Sequence, residues 1–121
     1  PARPYIDAAI ERLQNAGVMM HHVGNIHIEL EDDLAWVESY VLTFARFKKD
    51  GEPWDTMTGG RIFDKFEKRE DEWRILHRKI ALDWNRDDPI SESWCLGLFD
   101  PEDPRMIIGE KGKGDLTYSR F

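Results

Sequence analysis

Between residues 18 and 84 of this chain, apolar side chains recur at every second position through four long runs, and that period constrains the fold more than any other feature. Successive side chains on an extended strand point to opposite faces, so a period of two marks strands, where a helix would show a period near 3.6. Residues 18–30 form the first run, with Ile26, Ile28 and Leu30 alternating against His27 and Glu29. Residues 34–48 form the second, apolar on both sides: Leu34, Trp36, Tyr40, Leu42 and Phe44 on one, Val37, Val41 and Phe47 on the other. Such a strand is expected at the centre of a sheet covered on both faces. Residues 61–69 and 73–84 form the third and fourth, around the turn Glu70-Asp71-Glu72.

The segments around these runs read differently. Residues 4–16 predict a helix, because Ile6, Ala9, Ile10 and Leu13 recur at helical spacing between Pro4 and Gly17. Residues 49–60 hold Gly51, Pro53, Gly59 and Gly60 and read as a loop. After Arg86 the pattern dissolves: Asp87-Asp88-Pro89, Asp100-Pro101 and Asp103-Pro104 mark turns, residues 91–99 hold one short helix, and residues 111–114 form a connector before Tyr118 and Phe121. The expectation is a single domain over 1–121 with an irregular C-terminal extension over 87–121. One helix followed by four strands joined by tight turns gives an antiparallel meander, and a single helix is too little cover for strands this long. Self-association into a dimer or trimer would supply cover.

Composition removes several classes of function. The chain has 121 residues, 40% hydrophobic and 34% charged, enough for one core. Its net charge of −7 excludes nucleic acid, which needs a basic surface. No stretch is apolar enough to span a membrane. Cys95 is the only cysteine, so no internal disulfide forms, in keeping with a reducing cytoplasm. Glu29, Glu31, Asp32 and Asp33 read as a solvated turn without calcium-loop spacing.

Arg78 is the sharpest physical signal. It interrupts the apolar row Leu76, Ile80, Leu82, Trp84, and a guanidinium there cannot shed its charge. Asp64, between Ile62 and Phe66, presents the same situation with opposite sign. A three-residue turn with Arg69 opposite Trp73 puts Asp64 opposite Arg78, Phe66 opposite Leu76 and Ile62 opposite Ile80, with the apolar residues on one face. An Asp64–Arg78 pair lining the interior is therefore expected. It is either a structural ion pair that sets register or a device by which Arg78 polarises a substrate oxygen or leaving group. If fully buried, loss of either partner should cost about 3–5 kcal/mol.

His21 and His22 stand at the mouth of the first strand, where an imidazole suits acid–base work near neutral pH. Strict alternation groups His22 with Ile26, Ile28 and Leu30, and His21 with Asn25, His27 and Glu29. A bulge at Gly24 would reverse that assignment. Either histidine could equally be a hydrogen-bonded residue without catalytic role. Adjacent strand residues point opposite ways, so the pair is poor metal-chelating geometry. His27 reads as surface, and His77 falls on the face opposite Arg78.

The runs His21-His22-Val23-Gly24-Asn25, Gly60-Arg61-Ile62-Phe63-Asp64 and Trp73-Arg74-Ile75-Leu76-His77-Arg78-Lys79 resemble the SnoaL-like group of the nuclear transport factor 2-like superfamily, with polyketide cyclases, scytalone dehydratase and hexachlorocyclohexane dehydrochlorinase among its members. The resemblance covers nearly the whole chain. It implies an α+β cone, a strongly curved, mostly antiparallel sheet wrapped on helices around an apolar pocket. It also implies a histidine base at the start of this strand, paired with an aspartate from the first helix. A histidine four residues before an asparagine matches His21 and Asn25, and an arginine five residues after the fourth-strand tryptophan matches Arg78. The resemblance thus selects His21 over His22. The family's first helices and their aspartate have no counterpart upstream of His21, since Asp7 lies on the wrong helix.

The expected function is a cofactor-independent lyase or isomerase of dehydratase, cyclase or dehydrohalogenase type. His21 would abstract a proton and Arg78 would stabilise the developing charge. His22, Trp36, Tyr40, Phe44, Phe63, Asp64 and Trp84 would wall a pocket for a small hydrophobic molecule, without metal or cofactor. The same aromatic residues could be simple core. A non-catalytic binding module and an accessory subunit of the ring-hydroxylating dioxygenase type are the alternatives.

Overall fold

A computed structural model describes residues 2–119. Its elements in order are α1 (Ala2–Asn15), β1 (Met19–Glu31), β2 (Leu34–Lys49), β3 (Glu52–Arg69), β4 (Glu72–Pro89), the single turn α2 (Trp94–Gly97) and a 3₁₀ turn (Leu116–Tyr118). The described chain divides after Ile90 into two compact units. The boundary falls later than residue 87 because β4 continues to Pro89, which pairs opposite Trp54. Phe121 lies outside the described residues.

The first unit is α1 and a four-stranded antiparallel sheet in the order β1-β2-β3-β4, the expected meander. Each hairpin turns on two residues. Glu31 pairs with Leu34, Lys49 with Glu52, and Arg69 with Glu72. Asp50 and Gly51 have φ of 53° and 85°, Glu70 and Asp71 of 51° and 64°. Two positive φ angles in a two-residue loop match the twist of the flanking strands. The predicted loop over 49–60 is therefore mostly strand. Asp50-Gly51 alone makes the turn, and Pro53, Gly59 and Gly60 lie within β3. Asp87-Asp88-Pro89 likewise extends β4 and makes no turn.

Three bulges break the alternation. In β1, Gly24 and Asn25 together oppose Tyr40, because Val23 pairs with Val41 and Ile26 with Ser39. In β4, Leu76 is extra between Ile75 (opposite Phe66) and His77 (opposite Lys65), and Asp83 is extra between Leu82 (opposite Gly60) and Trp84 (opposite Gly59). Each extra residue inverts which face the following side chains occupy and bends its strand.

Residues directly opposite one another share a face, so the register sorts the whole sheet. One face, here the inner face, carries His21, Val23, Ile26, Ile28 and Leu30 from β1 and Ala35, Val37, Ser39 and Ala45 from β2. Ile62, Asp64 and Phe66 of β3 and Ile75, Arg78 and Ile80 of β4 complete it. The outer face carries His22, His27, Glu29, Trp36, Glu38, Tyr40, Leu42, Phe44, Phe63, Lys65, His77, Lys79 and Trp84.

Ala16, Ala35, Ser39, Ala45 and Asp64 are buried, and no large side chain is fully enclosed among the described residues. The β1 row is open, with Ile26 60% and Leu30 70% exposed. The helix α1 buries none of its residues, so one helix is indeed insufficient cover. It hands the chain to the sheet through Gly17 N–H donating to the Arg46 carbonyl and Arg46 N–H donating to that of Val18, at 2.8 and 2.9 Å. No helix among the described residues is long and apolar enough to cross a membrane.

The second unit, residues 91–119, is a run of turns. Ser93 Oγ accepts from Leu96 N–H at 3.3 Å, and Asp115 caps the 3₁₀ turn through Thr117.

Candidate active site

The β1 bulge settles the orientation of the two histidines. Downstream of it, Ile26, Ile28 and Leu30 occupy the inner face by simple alternation. Upstream, the extra residue shifts the parity, so His21 joins them and His22 turns to the outer face. Gly24 is part of the bulge without being compelled by backbone angle, since its φ is not positive and an added Cβ would meet only Tyr40 Cβ at 3.9 Å.

On the same inner face, Arg78 clamps Asp64. Nε donates to Oδ1 and Nη2 to Oδ2, both at 2.7 Å, the two-pronged geometry that suits a guanidinium and a carboxylate. The hydrogen bonds to Asp64 push the Arg78 pKa above its ordinary value, and the nearby Tyr5 adds to the shift. Nη1 has no hydrogen-bond partner among the described residues. Tyr5 and Ala2 of α1, with Ile75, Leu76, Arg78 and Ile80 of β4, line a half-open cavity of 610 Å³. A guanidinium held by one edge, with its other edge free beside an apolar cavity, can receive a carbonyl or an oxyanion.

Several expected members of the pocket lie elsewhere. His21 and Arg78 share a face but not an enclosed cavity. His21 pairs opposite Thr43, while Arg78 lies in the row of Asp64 and Val37, six residues along β2. Along straight strands that offset is about 20 Å, and the bulges at Gly24–Asn25 and Asp83 bend the sheet between the two sites. His21 is exposed because nothing among the described residues packs over the β1 row.

Trp36, Tyr40, Phe44, Phe63 and Trp84, expected as walls around His21 and Arg78, are on the outer face with His22. Trp84 leaves the Arg78 row because the Asp83 bulge inverts parity, and its indole covers Gly59 instead. Phe66 faces Ile75 rather than Leu76 because the hairpin is one residue tighter than expected and the Leu76 bulge restores the register before Arg78. His22, Tyr40 and Trp84 line a separate outer-face cavity of 460 Å³ with Asp83. Asp83 arises from the same bulge and lies 3.6 Å from Arg61, a pair that alternation alone does not reveal. Arg61 also donates to Glu38 at 3.2 Å, and these two acids, Glu38 first, raise its pKa.

Residues 2–79 match the model of the SnoaL-like domain. The chain belongs to the SnoaL-like domain family. Solved structures agree on the fold. The Kfla4162 protein from Kribbella flavida superposes with a TM-score of 0.63 at 16% identity, over 71% of this chain and 60% of its own. A candidate scytalone dehydratase from Novosphingobium aromaticivorans does so at 0.55 and 26% identity, over 69% of this chain and 58% of its own. LinA does so at 0.59 and 17% identity, over 71% of this chain and 57% of its own. No curated protein matches. The SnoaL-like domain thus has the α+β fold of the nuclear transport factor 2-like superfamily, and it spans less than two thirds of the length of each of these structures.

Proposed function

We propose that this SnoaL-like domain serves a cofactor-independent lyase or isomerase, of dehydratase, cyclase or dehydrohalogenase type, acting on a small hydrophobic molecule. His21 accepts the proton from the substrate carbon, and the curvature that the bulges give the sheet is what would bring the free Nη1 edge of Arg78 to an oxygen or leaving group of the same substrate. Asp64 does not react; it holds the guanidinium plane in place. The observation that supports this reading most strongly is the β1 bulge, because it alone puts His21 on the face that carries Arg78. The likeness to a candidate scytalone dehydratase at 26% identity supports the same class of reaction.

The test uses two substrate panels, hydrophobic β-hydroxy ketones followed by enone absorbance and polychlorinated cyclohexanes followed by chloride release. His21→Gln should lower kcat by about 100-fold or more, the scale of a lost general base. Arg78→Gln should act more strongly on KM if the guanidinium anchors the substrate. Wild-type turnover by the His21→Gln protein would end the catalytic assignment.

A non-catalytic binding module remains a second reading for one specific reason: His21 has no carboxylate partner among the described residues, and an unassisted imidazole lacks tautomer control. Saturable binding with no turnover on either panel would favour it.

A further inference from the structure

We propose that the outer face of the sheet carries a separate site for a small aromatic carboxylate, in the groove that crosses all four strands. The register aligns two rows of side chains there. Glu29, Trp36, Lys65 and His77 form one row, and His27, Glu38, Phe63 and Lys79 form the next. Together they line a groove of 380 Å³, within the range of small-molecule sites at roughly 300–1,000 Å³.

The charges within this groove are unequally matched. Glu38 accepts from Arg61 at 3.2 Å, and Glu29 is 3.1 Å from His27 Nε2. Asp64 borders the groove, but its carboxylate is held by Arg78 on the inner face. Lys65 and Lys79 have no carboxylate partner among the described residues. Both carboxylates on this grid thus hydrogen-bond to groups other than Lys65 and Lys79, and the two ammonium groups stand on adjacent rows without a direct carboxylate contact among the described residues. Their mutual repulsion is relieved by an anion between them.

The floor beneath them selects the rest of the ligand. Lys65 Nζ lies 5.2 Å from the centroid of the Trp36 ring. Phe63 stands in the adjacent row on the same face. An aromatic ring stacked on Trp36 and Phe63 would place its carboxylate toward Lys65 and Lys79, combining ring packing with two charge-assisted contacts. An aliphatic acid would lose the first and a neutral arene the second.

The folded chain is titrated with 2-naphthoate, followed by calorimetry and tryptophan fluorescence, with 2-naphthalenemethanol and inorganic phosphate as comparison probes. Saturable naphthoate binding is expected, with the neutral alcohol and phosphate each about tenfold weaker. Lys65→Gln and Lys79→Gln should each weaken naphthoate about fivefold, the upper range for an exposed ion pair. Trp36→Leu should weaken both naphthoate and the alcohol. His21→Gln should leave naphthoate affinity unchanged, which separates this groove from the inner face. The proposal is overturned by absence of saturation, by equal affinity for the alcohol or phosphate, by wild-type affinity in the Lys65→Gln/Lys79→Gln protein, or by loss of binding in His21→Gln.

Discussion

Asp64 and Arg78 face each other across β3 and β4 with two hydrogen bonds of 2.7 Å, although their side chains differ greatly in exposure. The Asp64 side chain is 7% exposed and the Arg78 side chain 38%. One end of the pair is thus dry and the other wet. This asymmetry explains how a guanidinium can stay in an apolar row: its charge is matched by a buried carboxylate while part of the group keeps contact with water.

The cost of breaking this pair should fall below that of a fully enclosed one. Solvent on the Arg78 side screens the attraction, so Asp64→Asn is expected to lose about 1–2 kcal/mol rather than the value for a pair buried at both ends. Arg78→Gln should cost more than Asp64→Asn, because it leaves a buried carboxylate without its ion partner. Urea unfolding of both single variants and the double variant measures the coupling. A coupling near zero would mean that the two groups do not stabilise the fold as partners.

Gly24→Ala should be nearly neutral, within about 1 kcal/mol, because the bulge requires no positive φ there and the added methyl makes only ordinary contact. Deleting Gly24 should keep the facing as well, because Asn25 alone then opposes Tyr40 while Val23 stays opposite Val41, His22 opposite Leu42 and His21 opposite Thr43 on the inner face. Thermal unfolding checks the first expectation. For the second, the His21→Gln effect on turnover should persist in the deletion background and not transfer to His22→Gln.

Gly59 and Gly60 are both buried and both closed to a side chain, for different reasons. A Cβ on Gly59 would overlap the Trp84 indole, which can rotate away. A Cβ on Gly60 would overlap the Ala81 carbonyl, which is backbone and cannot. Gly59→Ala should therefore cost about 1–3 kcal/mol, and Gly60→Ala more. Trp84→Ala should offset part of the Gly59→Ala loss and none of the Gly60→Ala loss, as chemical denaturation of the four variants would show.

Acid should loosen the turn around Asp115. Its carboxylate accepts from Thr117 Oγ1 at 2.6 Å, from Thr117 N–H at 3.0 Å and from Glu110 N–H at 3.2 Å. Thr117 is the main cause of its lowered pKa, with Glu110 N–H adding to it, against an ordinary value of 3.8. A carboxyl whose folded pKa is depressed contributes order that is complete above its unfolded value and is lost as pH falls through the lower, folded one. The amide resonances of Glu110 and Thr117 should hold steady above about pH 4–5 and shift together below the ordinary carboxyl value. Asp115→Asn should remove that shared transition.

Much of the sheet was legible as period-two pattern, and its errors have common causes. Alternation correctly grouped Trp36, Tyr40, Leu42 and Phe44, and it paired Asp64 with Arg78. It failed at Trp84, because one unpaired residue, Asp83, inverts the face of all that follows. It failed over residues 49–60, where Pro53, Gly59 and Gly60 read as breakers although Asp50-Gly51 is the dipeptide that favours a two-residue hairpin. Of the pocket expected around His21 and Arg78, only Asp64 shares their face. The groove of Trp36, Lys65, Phe63 and Lys79 was not anticipated, since its members come from separate strands.

By itself, the amino-acid order determined strand identity, hairpin succession and the local partner of a buried charge, because each depends on neighbours a few residues away. Only the tertiary structure decided where the sheet bulges and what remains uncovered. Those outcomes arise from hydrogen-bond pairing between strands far apart in the chain, and a single extra residue there sends His21 to one side of the sheet and His22 to the other.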